Sequence, residues 1–449
     1  MQQEIKMTDK NTTKTISGIF CDENGTHPRC VIFSTESGLI IDSEDRLHTG
    51  ADYFYDDNFL IFPGFYDLHV HARQDISGTQ CYKEDFASCG RAALAGGVCG
   101  YFDMPNNPVP PIDDVSFNAK HALTASSPAE VVLFAGAGPG IKPLSKKVPY
   151  KLFMGQSTGS LFYSKDMYVY DDLKHFSDFF SEHGGEPFFF SVHAESADVL
   201  AKSAKENTHA QRRPPEAEIK AISLLLTLLK RLPGIEINFC HISTEGGLQL
   251  VQTAKKNNLP VSAEAAFHHL LVSEESLAAG NDDLKTGFRI NPPIRSENDR
   301  AAVFSGFAEG HIDFLVTDHA PHTPDEKKNG VSGIPSIELY GTLVCELLSR
   351  GISPQIIYRT SCANPGRIFN RFFKNSSCNS TANSSSDTYP KGYGAVIPGW
   401  AANFTVLAPH HPVTITREHI KSKCGWSPFL GVTFPGGVHA VFTRGRMHE

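Results

Sequence analysis

Residues 67–73 of this 449-residue chain read "DLHVHAR" and set two imidazoles two positions apart. On a strand, alternate side chains share a face, so His69 and His71 can offer their rings to one ion. With 20 histidines in the chain, one such pair is expected by chance, and it gains weight only from its company. That company is Asp318 in "TDHAPHT", His193 in "SVHAES" and His241 in "NFCHIS", each at the end of an apolar run. Lys151 begins another such run, "KLFMG". Burying an amine disfavours its charge, and a neutral amine condenses with carbon dioxide to a carbamate. A carbamate is an anionic two-oxygen ligand suited to bridging two divalent ions. Imidazole and carboxylate ligands without thiolate suit zinc, with manganese or cobalt as substitutes. Two ions about 3.5 to 4 Å apart can share a water and bring its pKa from about 15.7 toward neutrality. Asp318 is then the group to take that water's proton and return it to a leaving nitrogen.

Side chains so scattered need a scaffold that brings strand ends together. From Pro63 onward eight apolar runs alternate with polar loops and helical patterns: "GFYDLHV", "GVCGYFDM", "VVLFAGA", "YKLFMG", "FFFSVHAE", "IEINFCHIS", "PVSAEAAFHH" and "IDFLVTDHA". Helical periods cover 86–95 and 216–232, the second stopped by Pro233 and Gly234. Eight buried strands with alternating helices predict an α/β fold, a (β/α)8 barrel over residues 63–373, with its functional groups at the C-terminal strand ends. Short β pieces in 16–62 and 391–449 predict one small β domain built from both chain ends. Residues 1–15 read as a disordered polar tail, and 374–390, rich in serine and asparagine, as a flexible insertion.

Composition narrows the function classes. The net charge of -8 comes from interspersed charges with no basic stripe, which excludes nucleic acid as a partner. No stretch approaches the roughly 18 apolar residues of a membrane span, and the polar first residues carry no apolar leader. The expectation is a soluble cytoplasmic protein acting on a small molecule. The ten cysteines are scattered without Cys-x-x-Cys spacing and read as reduced thiols.

The order of "PGFYDLHVHAR", "KEDFASCGRAALAGGV", "DMPNNPVPP", "KLFMGQSTG", "HAES", "CHIS", "HHL", "NPPIRSENDR", "TDHAPHTPDEKK" and "KCGWSPFLGVTF", from about residue 63 to about 434, resembles the amidohydrolase superfamily. Within it, the chain resembles the dihydroorotases that carry a carbamylated lysine. The resemblance implies that His69, His71 and Asp318 hold one zinc and His193 and His241 a second, with carbamylated Lys151 bridging. It also implies that Arg73 and Asn106 grip the substrate's free carboxylate, and that Asn291 and His322 make further substrate contacts. The implied reaction is the reversible hydrolysis of L-dihydroorotate to N-carbamoyl-L-aspartate in pyrimidine synthesis, with Asp318 as the proton carrier. A homodimer, and association with other enzymes of that pathway, are further implications.

The pattern is not copied cleanly. The loop "QDISGTQCY" delays Lys83 by about three residues, and Asn107, Phe267 and Ser336 replace the usual threonine, proline and glycine. Two rival readings follow: another cyclic amidase (a dihydropyrimidinase, hydantoinase or allantoinase), or a non-catalytic scaffold on the same fold. An arginine facing an uncharged ring would be left unpaired, which weighs against the first. Six retained ligand-type residues weigh against the second.

Overall fold

A computed structural model describes residues 12–157, 159–280, 282–376 and 390–448. The chain ends build one sheet before and after the barrel. Its strands are β1 (Thr13–Asp22), β2 (Gly25–Ser34), β3 (Ile40–Glu44), β4 (Tyr53–Phe54) and β5 (Leu60–Phe62). All eight sequence runs then appear as strands, one of them in two pieces: β6 (Phe65–Val70), β7 (Val98–Asp103), β8 (Glu130–Leu133), β9 (Ala135–Ala137), β10 (Tyr150–Phe153), β11 (Phe188–His193), β12 (Ile235–Phe239), β13 (Val261–Ala266) and β14 (Phe314–Val316). Beyond the barrel come β15 (Phe404–Ala408), β16 (Val413–Thr414), β17 (Thr433–Phe434), β18 (Gly437–Thr443) and β19 (Arg446–His448).

Every pairing from β6 to β8 and from β9 to β14 is parallel. Strands covered on both faces carry continuous apolar runs rather than alternation, which is why each read as a run. β8 and β9 are halves of one stave: Phe134 N donates to Asp103 O on one side and Ala135 N to Pro149 O on the other. The ring closes where Val70 bridges His319 and His71 N donates to His319 O at 2.8 Å. The structure is thus a (β/α)8 barrel with a small β domain.

Local chemistry fixes the helix ends. Helix α1 (Phe86–Ala95) begins at a capping box of Asp85 and Ser88, and α2 (Asp114–Leu123) at one of Asp113 and Ser116. The predicted 216–232 helix runs Pro215–Leu229, starting on a proline whose missing N–H is no loss in a first turn.

In the small domain the strand order is β19-β18-β15-β5-β1-β2-β3, with β4 also on β1, so the antiparallel β15–β5 pair joins the two chain ends. Phe20, Phe33, Phe404 and Phe442 pack edge-on or tilted at its centre. Two boundaries differ from the sequence reading. β1 starts at Thr13, inside the expected tail, because Thr13, Lys14 and Thr15 pair with Ser34, Phe33 and Ile32. The helix Asn364–Ser376 runs past residue 373, its period continuing into the segment read as insertion. The rest of that segment up to 389, and tail residues 1–11, lie outside the described residues.

Candidate active site

The residues singled out for metal binding gather at the C-terminal end of the barrel. His69 lies within β6 and His71 just past it; Lys151 is in β10; His193 ends β11; His241 and Asp318 follow β12 and β14 by two residues. His69 Nε2 and His71 Nε2 each lie 3.3 Å from Asp318 Oδ1. The other nitrogens of the two rings are engaged: His69 Nδ1 with Glu264 Oε2 at 2.8 Å, His71 Nδ1 with Asn106 Oδ1 at 2.6 Å. Each Nδ1 faces an acceptor and so carries the proton, which turns both Nε2 lone pairs toward the Asp318 carboxylate. Three acceptors converging without a donor repel one another unless a cation lies among them. The residues therefore fit a divalent ion.

The second cluster has the same logic. His193 Nε2 faces Glu195 Oε2 at 2.6 Å, leaving the Nδ1 lone pair 3.2 Å from His241 Nε2. His241 Nδ1 is buried without a hydrogen-bond partner among the described residues. Burial pushes the pKa of all four imidazoles down, His71 and His241 furthest, so each is in the neutral form that binds metals. Lys151 is close enough to add to the lowering in every case. Lys151 itself is completely buried, with Nζ 2.8 Å from Cys240 Sγ.

Three orienting residues escaped the sequence reading. Glu264 anchors His69 and also receives Asn238 Nδ2; burial pushes its carboxyl up, but His69 and Lys151 hold it below the usual range. Glu195 anchors His193 and is gripped by Arg213; burial pushes its carboxyl up, but Arg213 and His193 together hold it well below the usual range, so it stays ionised. Carboxylates behind ligating histidines fix ring orientation and raise ligand basicity. Cys240 lies beside this set: its sulfur falls with donor atoms of His69 and Glu264 inside 4.8 Å, as do those of His69, His71 and Asp318 with one another, and burial pushes its pKa up, so it is a thiol and not a thiolate. The signals were a lone glutamate in the apolar run "VSAEAA" and a cysteine directly before His241. The nine described cysteines are all unpaired.

Among the described residues five non-glycine residues have positive φ, and Arg73 (62°), His241 (32°) and Asp318 (47°) are three of them. Such backbone costs about 1–3 kcal/mol each and persists where surroundings impose it. Here it turns side chains into the barrel mouth.

Arg73, Asn106 and Asn291 line one cleft of about 360 Å³ with His69, His71, His193, His241, Asp318 and Phe153. The Arg73 guanidinium is buried. Its Nη2 lies 3.1 Å from His322 Nε2, and its Nε and Nη1 have no hydrogen-bond partner among the described residues. Burial pushes its pKa down to about 10, so it remains a cation at neutral pH. Asn291 Oδ1 is likewise buried without a partner. His322 is not on the cleft wall. It backs Arg73, with Lys83 Nζ 3.3 Å from its Nδ1, and burial together with those two cations keeps the ring neutral.

The unusual loop after Arg73 is tied down by its own residues. Asp75 accepts from Ser77 N and Val109 N, both at 2.8 Å, and Gln74 Oε1 accepts from Phe86 N. Asn107, Phe267 and Ser336 do not line the cleft. At its mouth the cleft shares Ser157, Asn291 and Ser332 with a wider cavity of about 1060 Å³ bearing Arg212, Arg213 and Arg289.

No protein-family model matches the sequence. The chain is similar to the dihydroorotase of Thermococcus kodakarensis, with 33% identity over 419 residues covering 91% of this chain and 88% of that one. It is similar to the dihydroorotase of Pyrococcus furiosus at 31% over 393 residues (86% and 81%), and to that of Halobacterium salinarum at 31% over 412 (88% and 86%). Among solved structures, an L-hydantoinase (dihydropyrimidinase) from Arthrobacter aurescens superposes with a TM-score of 0.79 at 18% identity, covering 96% and 95% of the two chains. A dihydropyrimidinase from Brevibacillus agri gives 0.78 at 19%, covering 97% and 94%. At those identities the structures speak for the fold alone.

Proposed function

This chain belongs to the dihydroorotase and hydantoinase family of the amidohydrolase superfamily, metal-dependent hydrolases of cyclic amides, and from that premise we propose that it is a dihydroorotase. The observation that carries the choice of ring is Arg73. A buried guanidinium with two nitrogens unpaired at the cleft wall is a poor neighbour for an uncharged ring and a bidentate match for a carboxylate.

His69, His71 and Asp318 would hold one zinc and His193 and His241 the other, with Lys151 as its carbamate between them. Ions held there would supply a water acidic enough to ionise near neutral pH and a Lewis acid for the amide carbonyl. The chain's own residues do the rest. Arg73 with Asn106 orients the substrate through its carboxylate, and Asn291 makes a further contact, so that the ring amide faces the histidine cluster. The buried cleft excludes bulk water, and the Asp318 carboxylate takes the attacking water's proton and delivers it to the departing ring nitrogen. In the reverse direction the same carboxylate removes that proton as the ring closes.

The test is a substrate panel on protein prepared with zinc and bicarbonate. Turnover of dihydroorotate is expected, with dihydrouracil, hydantoin and allantoin at least 100-fold slower in kcat/KM. Comparable rates on an uncharged ring would overturn the assignment, and protein that binds no metal would favour a non-catalytic scaffold.

A further inference from the structure

Asp103, at the end of β7, is ionisable and completely buried, yet it touches neither cluster of histidines. Its Oδ1 accepts from Ala72 N at 2.7 Å, the amide directly before Arg73. Its Oδ2 lies 2.6 Å from Lys120 Nζ. Lys120 is on α2, a helix outside the barrel wall, and its side chain is buried. The same ammonium donates to Met104 O at 3.2 Å and to Asn107 Oδ1, two residues flanking Asn106. Its ammonium therefore meets three oxygens, two by hydrogen bonds that hold the Asn106 loop and one by an ion pair with the carboxylate that holds the Arg73 loop.

We propose that Lys120 is a positioning residue for the substrate's carboxylate: one ammonium outside the active site fixes the spacing between Arg73 and Asn106. The inference rests on the dihydroorotase reading, because it concerns recognition of the acid on the ring. Buried ion pairs are weak devices for stability, since apolar replacements of similar volume do as well. A pair that joins the two loops of a clamp has a geometric use that an apolar pair lacks. An arginine could supply the charge but not three donors radiating from one atom.

The experiment compares the wild type with Lys120→Met, Lys120→Arg and the double variant Asp103→Asn with Lys120→Met. It measures kcat and KM for dihydroorotate, zinc per chain, and the Kd of orotate, a ring with the same carboxylate, by calorimetry. Lys120→Met is expected to raise KM and the orotate Kd about tenfold, with kcat within about twofold and zinc unchanged. Lys120→Arg should lie between it and the wild type. The double variant carries no uncompensated buried charge, so it folds even where the single variant does not, and it should keep the raised KM because the Asn106 loop stays untied. Unchanged KM and Kd in the folded variants, or a joint fall of kcat and zinc, would overturn the assignment of Lys120 alone. A wild type that neither binds orotate nor hydrolyses dihydroorotate would instead sink the substrate reading, and this inference with it.

Discussion

The candidate metal cluster and the proposed carboxylate clamp share one cleft but are built differently. The five candidate ligands other than Lys151 sit on β6, β11, or within two residues of β6, β12 and β14, where the parallel ladders set each position. Arg73, Asn106 and Asn291 stand on loops, and the placement of the first two depends on side chains: Asp103, Lys120, Asp75, Lys83 and His322. Sheet register is cooperative and shared by a whole stave, whereas a loop held by a few polar bonds can be rebuilt without disturbing the barrel. On the proposed function, the strand-borne half carries the hydrolytic chemistry and the loop-borne half would choose the ring.

The division can be broken experimentally, and the largest effect is expected in the strand-borne half. Lys151→Ala removes the buried amine of β10 that would form the bridge. It should lower kcat/KM by at least a thousandfold and bring zinc from about two per chain to one or fewer. Wild-type metal content and activity in that variant would show that Lys151 is not a bridge. Next, Arg73→Met should raise KM for dihydroorotate by about a hundredfold, a loss of roughly 2.7 kcal/mol, while zinc per chain stays constant. Loss of zinc in that variant would mean the two halves are not separable.

The smallest effect sharpens the loop side. Lys327 donates to Arg289 O at 2.7 Å and Gly333 O at 2.8 Å, bracing the rim that Gly333 contributes to the cleft. Burial pushes its pKa down to about 7 from 10.5. Between those values the unfolded chain holds a proton that the folded one lacks, so this group's contribution to stability rises with pH from about 7 to 10.5. The melting temperature of the wild type relative to Lys327→Met should therefore climb by a few degrees from pH 7 to pH 9. A difference constant across that range would remove the rim lysine from the comparison.

The strand-borne half was also the more legible in sequence. Eight runs could be read because staves buried on both faces must be apolar, and a histidine or lysine in such a run stands out. Glu264 and Glu195 were harder, since each acquires meaning only from a partner: Glu264 lies 195 residues from His69 in the chain. Lys120 looked like any helix lysine, because its three acceptors come from a loop and a strand end that no period of α2 reveals. The start of β1 was misplaced for a simpler reason. Thr13, Lys14 and Thr15 read as polar sequence, yet β-branched residues suit a strand edge once Ser34, Phe33 and Ile32 are there to pair with them.

The join between β14 and β6 has a consequence for how the molecule comes to exist. His71 and Asp318 lie on opposite sides of that seam, and His319 supplies the carbonyl that seals it. The first stave of the ring must wait for the last one to be made before either can be stitched, a contact of very long range and slow to form. An ion held by His69, His71 and Asp318 would fasten the seam like a clasp. Whatever loads the centre would then also lock the ring shut, and the chain would resist unravelling from the place where its two ends of synthesis meet.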